Sequence, residues 1–147
     1  MPAKILVVDD FEPIRQCVGS MLEQTAKFQV IGHAAAGFEA IQKAKDLQPD
    51  LILLDIGLPK LDGIAAASQI RKLAPKSKIL FLTENTSPEV VEAALSTGAS
   101  GYVVKSEAGQ ELFEALEAVG QGGQFVSRVL RTQARGKLGR VAAAGAA

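Results

Sequence analysis

The sequence predicts a doubly wound α/β fold, a (βα)5 chain built on a five-stranded parallel sheet. Short apolar runs recur five times, at 5–8, 28–31, 51–54, 79–82 and 102–104. Several are apolar at every position, as strands buried on both faces of a parallel sheet are. An amphipathic helical stripe follows each run, and strand then helix, five times over, argues a doubly wound sheet.

The elements follow in order. Ile5 to Val8 is the first strand, ending in Asp9-Asp10. Ile14, Cys17, Val18, Met21 and Leu22 then form an i, i+3, i+4, i+7, i+8 stripe, with Pro13 suiting the first helical position. Cys17 lies within that stripe and reads as a small core residue. Phe28 to Ile31 is the second strand and leads to Gly32-His33-Ala34, with His33 structural or at the surface. Ile41, Ala44 and Leu47 mark the second helix. Leu51 to Leu54 is the third strand, ending in Asp55, and Ile64, Ala67, Ile70 and Leu73 mark the third helix. Ile79 to Leu82 ends in Thr83. Ser87 as N-cap and Pro88 then open a helix through Val90, Val91, Ala94 and Leu95, which stops near Gly98. Tyr102 to Val104 ends in Lys105, and Leu112, Phe113, Leu116 and Val119 form the last stripe, closed by Gly120. After Gly122-Gly123 the pattern stops. The expected division is one domain over 1–124 and a linker or C-terminal tail over 125–147.

Composition narrows the function. A chain of 147 residues, 48% apolar and 22% charged, is one packed domain rather than a disordered segment. Sixteen Lys and Arg balance sixteen Asp and Glu. From Arg128 onward there are four Arg, one Lys and no acid, so residues 1–127 carry −5. The folded part therefore lacks the basic excess that non-specific DNA binding needs. One cysteine and one histidine exclude an internal disulfide and Cys- or His-rich metal sites. No apolar run reaches membrane-spanning length, and Met1-Pro2-Ala3-Lys4 lacks the shape of a signal peptide. The expected location is the cytoplasm, without membrane partners.

In open α/β sheets, ligands bind beyond the carboxyl ends of the strands, where strand order reverses. A 2-1-3-4-5 order makes the first and third strands neighbours there, which brings Asp9, Asp10 and Asp55 together. Three carboxylates in one crevice repel each other, and a hard divalent cation such as Mg²⁺ is the natural offset. Lys105 adds a positive charge and Thr83 a hydroxyl. Such a set can hold a phosphoryl group and neutralise its oxygens during transfer to a carboxylate. Each residue alone has a plainer reading. Asp9-Asp10 could cap a helix, Thr83 could end a strand, Lys105 could be a solvated charge, and Tyr102 could be a core aromatic with a wet hydroxyl.

Five motifs, taken together, resemble a known family. They are Asp9-Asp10; Asp55-Ile56-Gly57-Leu58-Pro59-Lys60-Leu61-Asp62-Gly63; Leu82-Thr83; Gly98-Ala99-Ser100-Gly101; and Tyr102-Val103-Val104-Lys105. They stand in the order and at the strand ends of the receiver (REC) domain of two-component response regulators, over roughly residues 4–123. Ser106 after the lysine and Gly122 to Ser127 look most like receivers of LuxR-type (NarL-type) transcriptional regulators. The resemblance implies a flavodoxin-like fold and a phosphorelay role. It implies that Asp55 accepts phosphate from a sensor histidine kinase, and that Asp10 binds Mg²⁺, helped by Asp9, Asp55 and the backbone carbonyl of Gly57. Lys105 would pair with phosphoryl oxygens, Thr83 would hydrogen-bond one, and Tyr102 would swing inward as Thr83 moves. The protein would be no enzyme in its own right, but a phosphoacceptor that assists its own phosphorylation and dephosphorylation. Homodimers are expected, and DNA would be reached only through an output domain that this chain lacks. Glu84 departs from the family pattern, which has a small or neutral residue after the threonine.

Other classes fit less well. A haloacid-dehalogenase-like phosphatase wants a second aspartate two residues after its nucleophile, and Gly57 stands there. A flavodoxin needs a phosphate loop where Asp9-Asp10 would repel phosphate, and no G-x-G-x-x-G follows the first strand. A phosphorylation-independent pseudo-receiver would not keep all five chemical positions filled.

Overall fold

The computed structural model describes residues 2–131. Their elements run β1 (Ala3–Val8), α1 (Glu12–Leu22), β2 (Phe28–Ala34), α2 (Gly37–Leu47), β3 (Leu51–Leu54), α3 (Gly63–Leu73), β4 (Lys78–Thr83), α4 (Pro88–Leu95), β5 (Gly101–Val104), α5 (Ala108–Gly120) and β6 (Phe125–Val126). A 3-10 turn, Lys105–Glu107, joins β5 to α5.

The strands form one sheet of order β2-β1-β3-β4-β5-β6, all neighbours parallel. The core order is the expected one, and the fold is flavodoxin-like. A sixth strand extends it. Phe125 and Val126 pair with Gly101 and Tyr102, so regular structure does not stop at Gly123. Two residues are too short a run for a periodicity to announce a strand. Residues 128–131 continue as a helical turn, and the remaining tail, 132–147, lies outside the described residues.

Every strand residue from Ile5 to Val8 and from Leu51 to Leu54 is buried, because both faces of the sheet are covered. Alternate residues serve two cores. Ile5, Val7, Leu51 and Leu53 pack with Val18 and Leu22 of α1 and with Leu112, Leu116 and Val119 of α5. Leu6, Val8, Ile52 and Leu54 pack with α2, α3 and α4 through small residues such as Ala40, Ala66 and Ala94.

Several local expectations are corrected. The second strand runs on to Ala34, because β1 keeps pairing with it as far as Val8 and Ala34, past an irregularity at Ile31. Cys17 is exposed rather than core. The buried side of α1 is carried by Val18 and Leu22, and Cys17 turns off that side. Leu47 and Leu73 end their helices partly in solvent. Pro13 follows Glu12, the first residue of α1, and so takes the second helical position. Ser87 stands at the N-cap of α4, but its hydroxyl donates to Glu89 Oε2 at 2.8 Å instead of capping a backbone N–H. Asp62 does cap α3, accepting from Ala65 N at 2.9 Å.

The loop from β3 to α3 is tightly folded under the site. Gly63 N donates to Ile56 O at 2.8 Å, and a Cβ on Gly63 would lie 1.9 Å from the carbonyl oxygen of Asp55. Only glycine permits this approach. Gly19, inside α1, has open space around it. Gly63→Ala is therefore expected to lower stability by about 3 kcal/mol or more. Gly19→Ala should raise it by roughly 1 kcal/mol. Urea unfolding of both variants checks the contrast, and similar midpoints for the two would contradict it.

Candidate functional site

The site lies at the carboxyl ends of β1, β3, β4 and β5. Val8 pairs with Leu54, so the next residues, Asp9 and Asp55, emerge side by side. Asp55 N donates to Val8 O at 3.0 Å and Asp9 N to Ala34 O at 3.0 Å, which fixes both backbones. Thr83 pairs with Val104, so Lys105 emerges next to the end of β4. Register alone thus gathers residues far apart in the chain.

Asp9, Asp10 and Asp55 each offer a carboxylate oxygen, and these oxygens lie within 4.8 Å of one another. Asp9 and Asp55 are buried, whereas Asp10 is exposed. Lys105 Nζ sits between the two buried acids, 2.6 Å from Asp9 Oδ2 and 3.1 Å from Asp55 Oδ2. Burial alone would lower the lysine pKa, but bonding to Asp9 and Asp55 and their charges outweigh it and raise it. The second oxygens are occupied by the backbone: Phe11 N donates to Asp9 Oδ1 at 2.9 Å and Ile56 N to Asp55 Oδ1 at 2.8 Å.

Asp9 Oδ2 is the exception. It touches Lys105 as an ion pair outside hydrogen-bond geometry, and it accepts no hydrogen bond. The Lys105 ammonium, 2.6 Å away, offsets its charge. With two further carboxylates at hand, the donor set is all oxygen and hard, and it fits a divalent cation of the Mg²⁺ type. Gly57 lies two residues beyond Asp55 and is exposed, and Thr83 is buried at the end of β4.

Tyr102 faces inward. Its ring is fully buried, tilted at 41° against Phe81 with centroids 6.0 Å apart, and its hydroxyl donates to Asn85 O at 2.7 Å. The ring thus points inward in this structure, and the tyrosine ties β5 to the loop between β4 and α4. Glu84, in that same loop, is exposed.

Arg15 escaped the sequence reading. It donates to Asp9 O at 2.5 Å and holds the first strand end against α1. No helical spacing marks it, since the partner carbonyl lies six residues back, before the helix starts. Asn85 contributes through its backbone carbonyl and left no side-chain signal at all.

Tyr102 gives a direct optical test of this packing. Burial, and then the charge of Asp55, push its phenol up to about 12. The chain has one tyrosine and no tryptophan, so phenolate absorbance reports this residue alone. In the unfolded chain it should titrate near ~10. Its contribution to stability is fully present below that value and is lost as pH rises through about 12. The folded midpoint should fall in Asp55→Asn, and an absorbance midpoint near ~10 in the folded chain would contradict the buried geometry.

Comparison with known proteins agrees with this geometry. A family model described as the response regulator receiver domain matches residues 5–117. The response regulator protein VraR of Staphylococcus aureus is 37% identical over 122 residues, covering 83% of this chain and 58% of that protein. The chain thus spans little more than half the length of that relative. Among solved structures, a two-component response regulator of the LuxR family from Aurantimonas sp. superposes with a TM-score of 0.85 at 31% identity, covering 90% of this chain and 94% of that one. The signal receiver domain of the putative response regulator NarL from Mycobacterium tuberculosis gives a TM-score of 0.78 at 28% identity, covering 82% and 98%. A match over most of the sequence, joined to the same fold with acids and lysine at its strand ends, makes this chain a member of the response regulator receiver domain family, of the LuxR (NarL) type.

Proposed function

We propose that Asp55 is the phosphoacceptor of this receiver and that Lys105, Thr83 and the acid pair serve that reaction. The observation that carries the reading is the position of Asp55. It is one of two buried acids at the switch point of the sheet, it stands at the end of β3 between β1 and β4, and one of its oxygens faces Lys105 Nζ at 3.1 Å.

The chemistry follows from the atoms. Asp55 Oδ2 attacks the phosphorus of a phosphohistidine, the P–N bond breaks, and the imidazole leaves and takes up a proton. Ile56 N keeps hold of Oδ1 at 2.8 Å and so orients the carboxylate. Lys105 then exchanges its contact with Asp9 for a phosphoryl oxygen. Thr83, at the end of the neighbouring strand, supplies a hydroxyl to another. Mg²⁺, held by Asp10, Asp9, Asp55 and the Gly57 carbonyl, would neutralise the phosphoryl charge when bound. The protein is a phosphoacceptor assisting its own chemistry, not a turnover enzyme. The sensor histidine kinase is the donor, and the cytoplasm is the compartment. No helix among the described residues is long and apolar enough to cross a membrane.

The likeness to LuxR-family regulators supports a parent protein that regulates transcription, with homodimers as its working form. DNA would be contacted by a region outside the receiver. The receiver's own strand-end surface is acidic and suits cations, not phosphate backbones.

Asp55→Asn is expected to abolish the mass gain of one phosphate with acetyl phosphate and Mg²⁺. Asp10→Ala should lose both that gain and the Mg²⁺-induced shifts of amide signals near Asp9 and Asp55. Lys105→Ala should still take up some phosphate, without transmitting the change to Tyr102. Unchanged phosphate uptake in Asp55→Asn would overturn the assignment.

Glu84 generates a separate expectation. An exposed carboxylate next to Thr83 repels an incoming anionic donor. Glu84→Ala should speed phosphorylation by acetyl phosphate up to about tenfold at low ionic strength, and the gain should fade as salt rises. Equal initial rates at low salt would show that this charge points away and has no effect.

A further inference from the structure

The chain holds the three carboxylates of the cation site unequally. Phe11 N fixes Asp9 Oδ1 and Ile56 N fixes Asp55 Oδ1, with Lys105 Nζ between their other oxygens. Asp10 is different. It is exposed, and no hydrogen bond among the described residues orients its carboxylate. Its direction is set by its backbone, and first by the plane of the peptide that joins it to Asp9.

That plane is held at its carbonyl. Arg15, half-buried near the start of α1, donates from its guanidinium to Asp9 O at 2.5 Å. A charged donor makes a stronger bond than a neutral one. On its other side Asp9 is tied to β2, since Asp9 N donates to Ala34 O at 3.0 Å. The end of β2 is locked in turn by α2. Ala35 N donates to Glu39 Oε1 at 2.6 Å, while Lys43 Nζ pairs with Glu39 Oε2 at 3.4 Å and donates to His33 O. The Ala35 N–H, and then the charges of Lys43 and Arg15, hold the Glu39 carboxyl below the usual carboxylate range. The guanidinium that grips the peptide is thus balanced by an acid of α2. The buried face of α1 is carried by Val18 and Leu22, so the Arg15 bond acts on the strand end more than on the docking of the helix.

We propose that Arg15 is a positioning residue for the divalent cation: by gripping the Asp9 carbonyl it aims the Asp10 carboxylate at the oxygens of Asp9 and Asp55. The proposal rests on the reading of these three acids as a Mg²⁺ site. Without the grip the Asp9–Asp10 peptide can rock, and the one acid that has no donor of its own rocks with it. The cation must then order that acid as it binds. Mg²⁺ demands near-ideal octahedral geometry, whereas Ca²⁺ accepts a range of coordination numbers and distances, so a loosened ligand costs Mg²⁺ more. Charge acts with the opposite sign. A guanidinium repels a cation, so removing its charge alone would tighten the binding of both ions alike. Position and charge therefore predict opposite outcomes for the same variant.

The test titrates the full chain with Mg²⁺ and, separately, with Ca²⁺, and follows the amide signals of Asp9, Asp10 and Asp55. Urea unfolding without metal establishes that each variant is folded. Arg15→Ala should weaken Mg²⁺ binding about tenfold and Ca²⁺ binding by about threefold or less. Arg15→Lys keeps the charge but not the planar fork, and should fall between wild type and Arg15→Ala with the same bias against Mg²⁺. It carries the test where Arg15→Ala fails to fold. Mg²⁺ binding in Arg15→Ala as tight as in the wild type, or tighter, would overturn the positioning role and leave the Mg²⁺ site standing. Equal losses for the two ions would overturn it as well, since a general loosening has no preference between them. A wild type whose amide signals do not respond to Mg²⁺ would overturn the metal site itself, and the role of Arg15 with it.

Discussion

The contact of Lys105 with Asp9 and Asp55 is the constraint on which the rest depends. Two buried carboxylates at neighbouring strand ends would drive β1 and β3 apart in a low-dielectric setting. The ammonium between them, 2.6 and 3.1 Å away, holds the sheet closed at that end. The arrangement leaves Asp9 Oδ2 without a hydrogen bond and Asp10 in solvent. One crevice thus holds three carboxylates and an ammonium. The backbone bends around it: a Cβ at position 63 would come within 1.9 Å of the Asp55 carbonyl oxygen.

Tyr102 links β5 to the loop after β4. Tyr102 leaves no room for solvent inside, lies against Phe81, and reaches the carbonyl of Asn85 in the loop that follows Thr83. On the other edge of β5, Ser127 bonds to the backbone N–H before Lys105. Strand β5 is therefore held from both sides, by the tyrosine's partner loop and by the chain after α5.

Charge is partitioned in the same sense. The receiver carries its excess of acid in a chain whose last twenty residues hold five basic side chains and no acid. Arg128, the first of those basic residues, already turns back onto Glu111 and Glu114 of α5.

Much of this was legible from the chain alone, and the reason is periodicity. Runs such as Leu51-Ile-Leu-Leu54 are apolar at every position because each residue faces one core or the other, and that pattern announces a strand in a two-sided parallel sheet. Given the strand order, the residues just after the runs, Asp9, Asp55, Thr83 and Lys105, must meet, because parallel register brings all carboxyl ends to one side. Tertiary structure alone decided what depends on angle and on partners distant in sequence. Cys17 shares the helical spacing of its neighbours but faces water, because the side of α1 that α5 and the sheet cover is narrower than the sequence pattern. Tyr102 carries no sign in its sequence of whether its ring turns in or out. Glu111 reads as one more charge on a helix, and Phe125-Val126 is too short to show a period. Only the fold, by returning the chain along the edge of β5, brings Ser127 to that carboxylate and turns a surface-looking glutamate into a buried anchor.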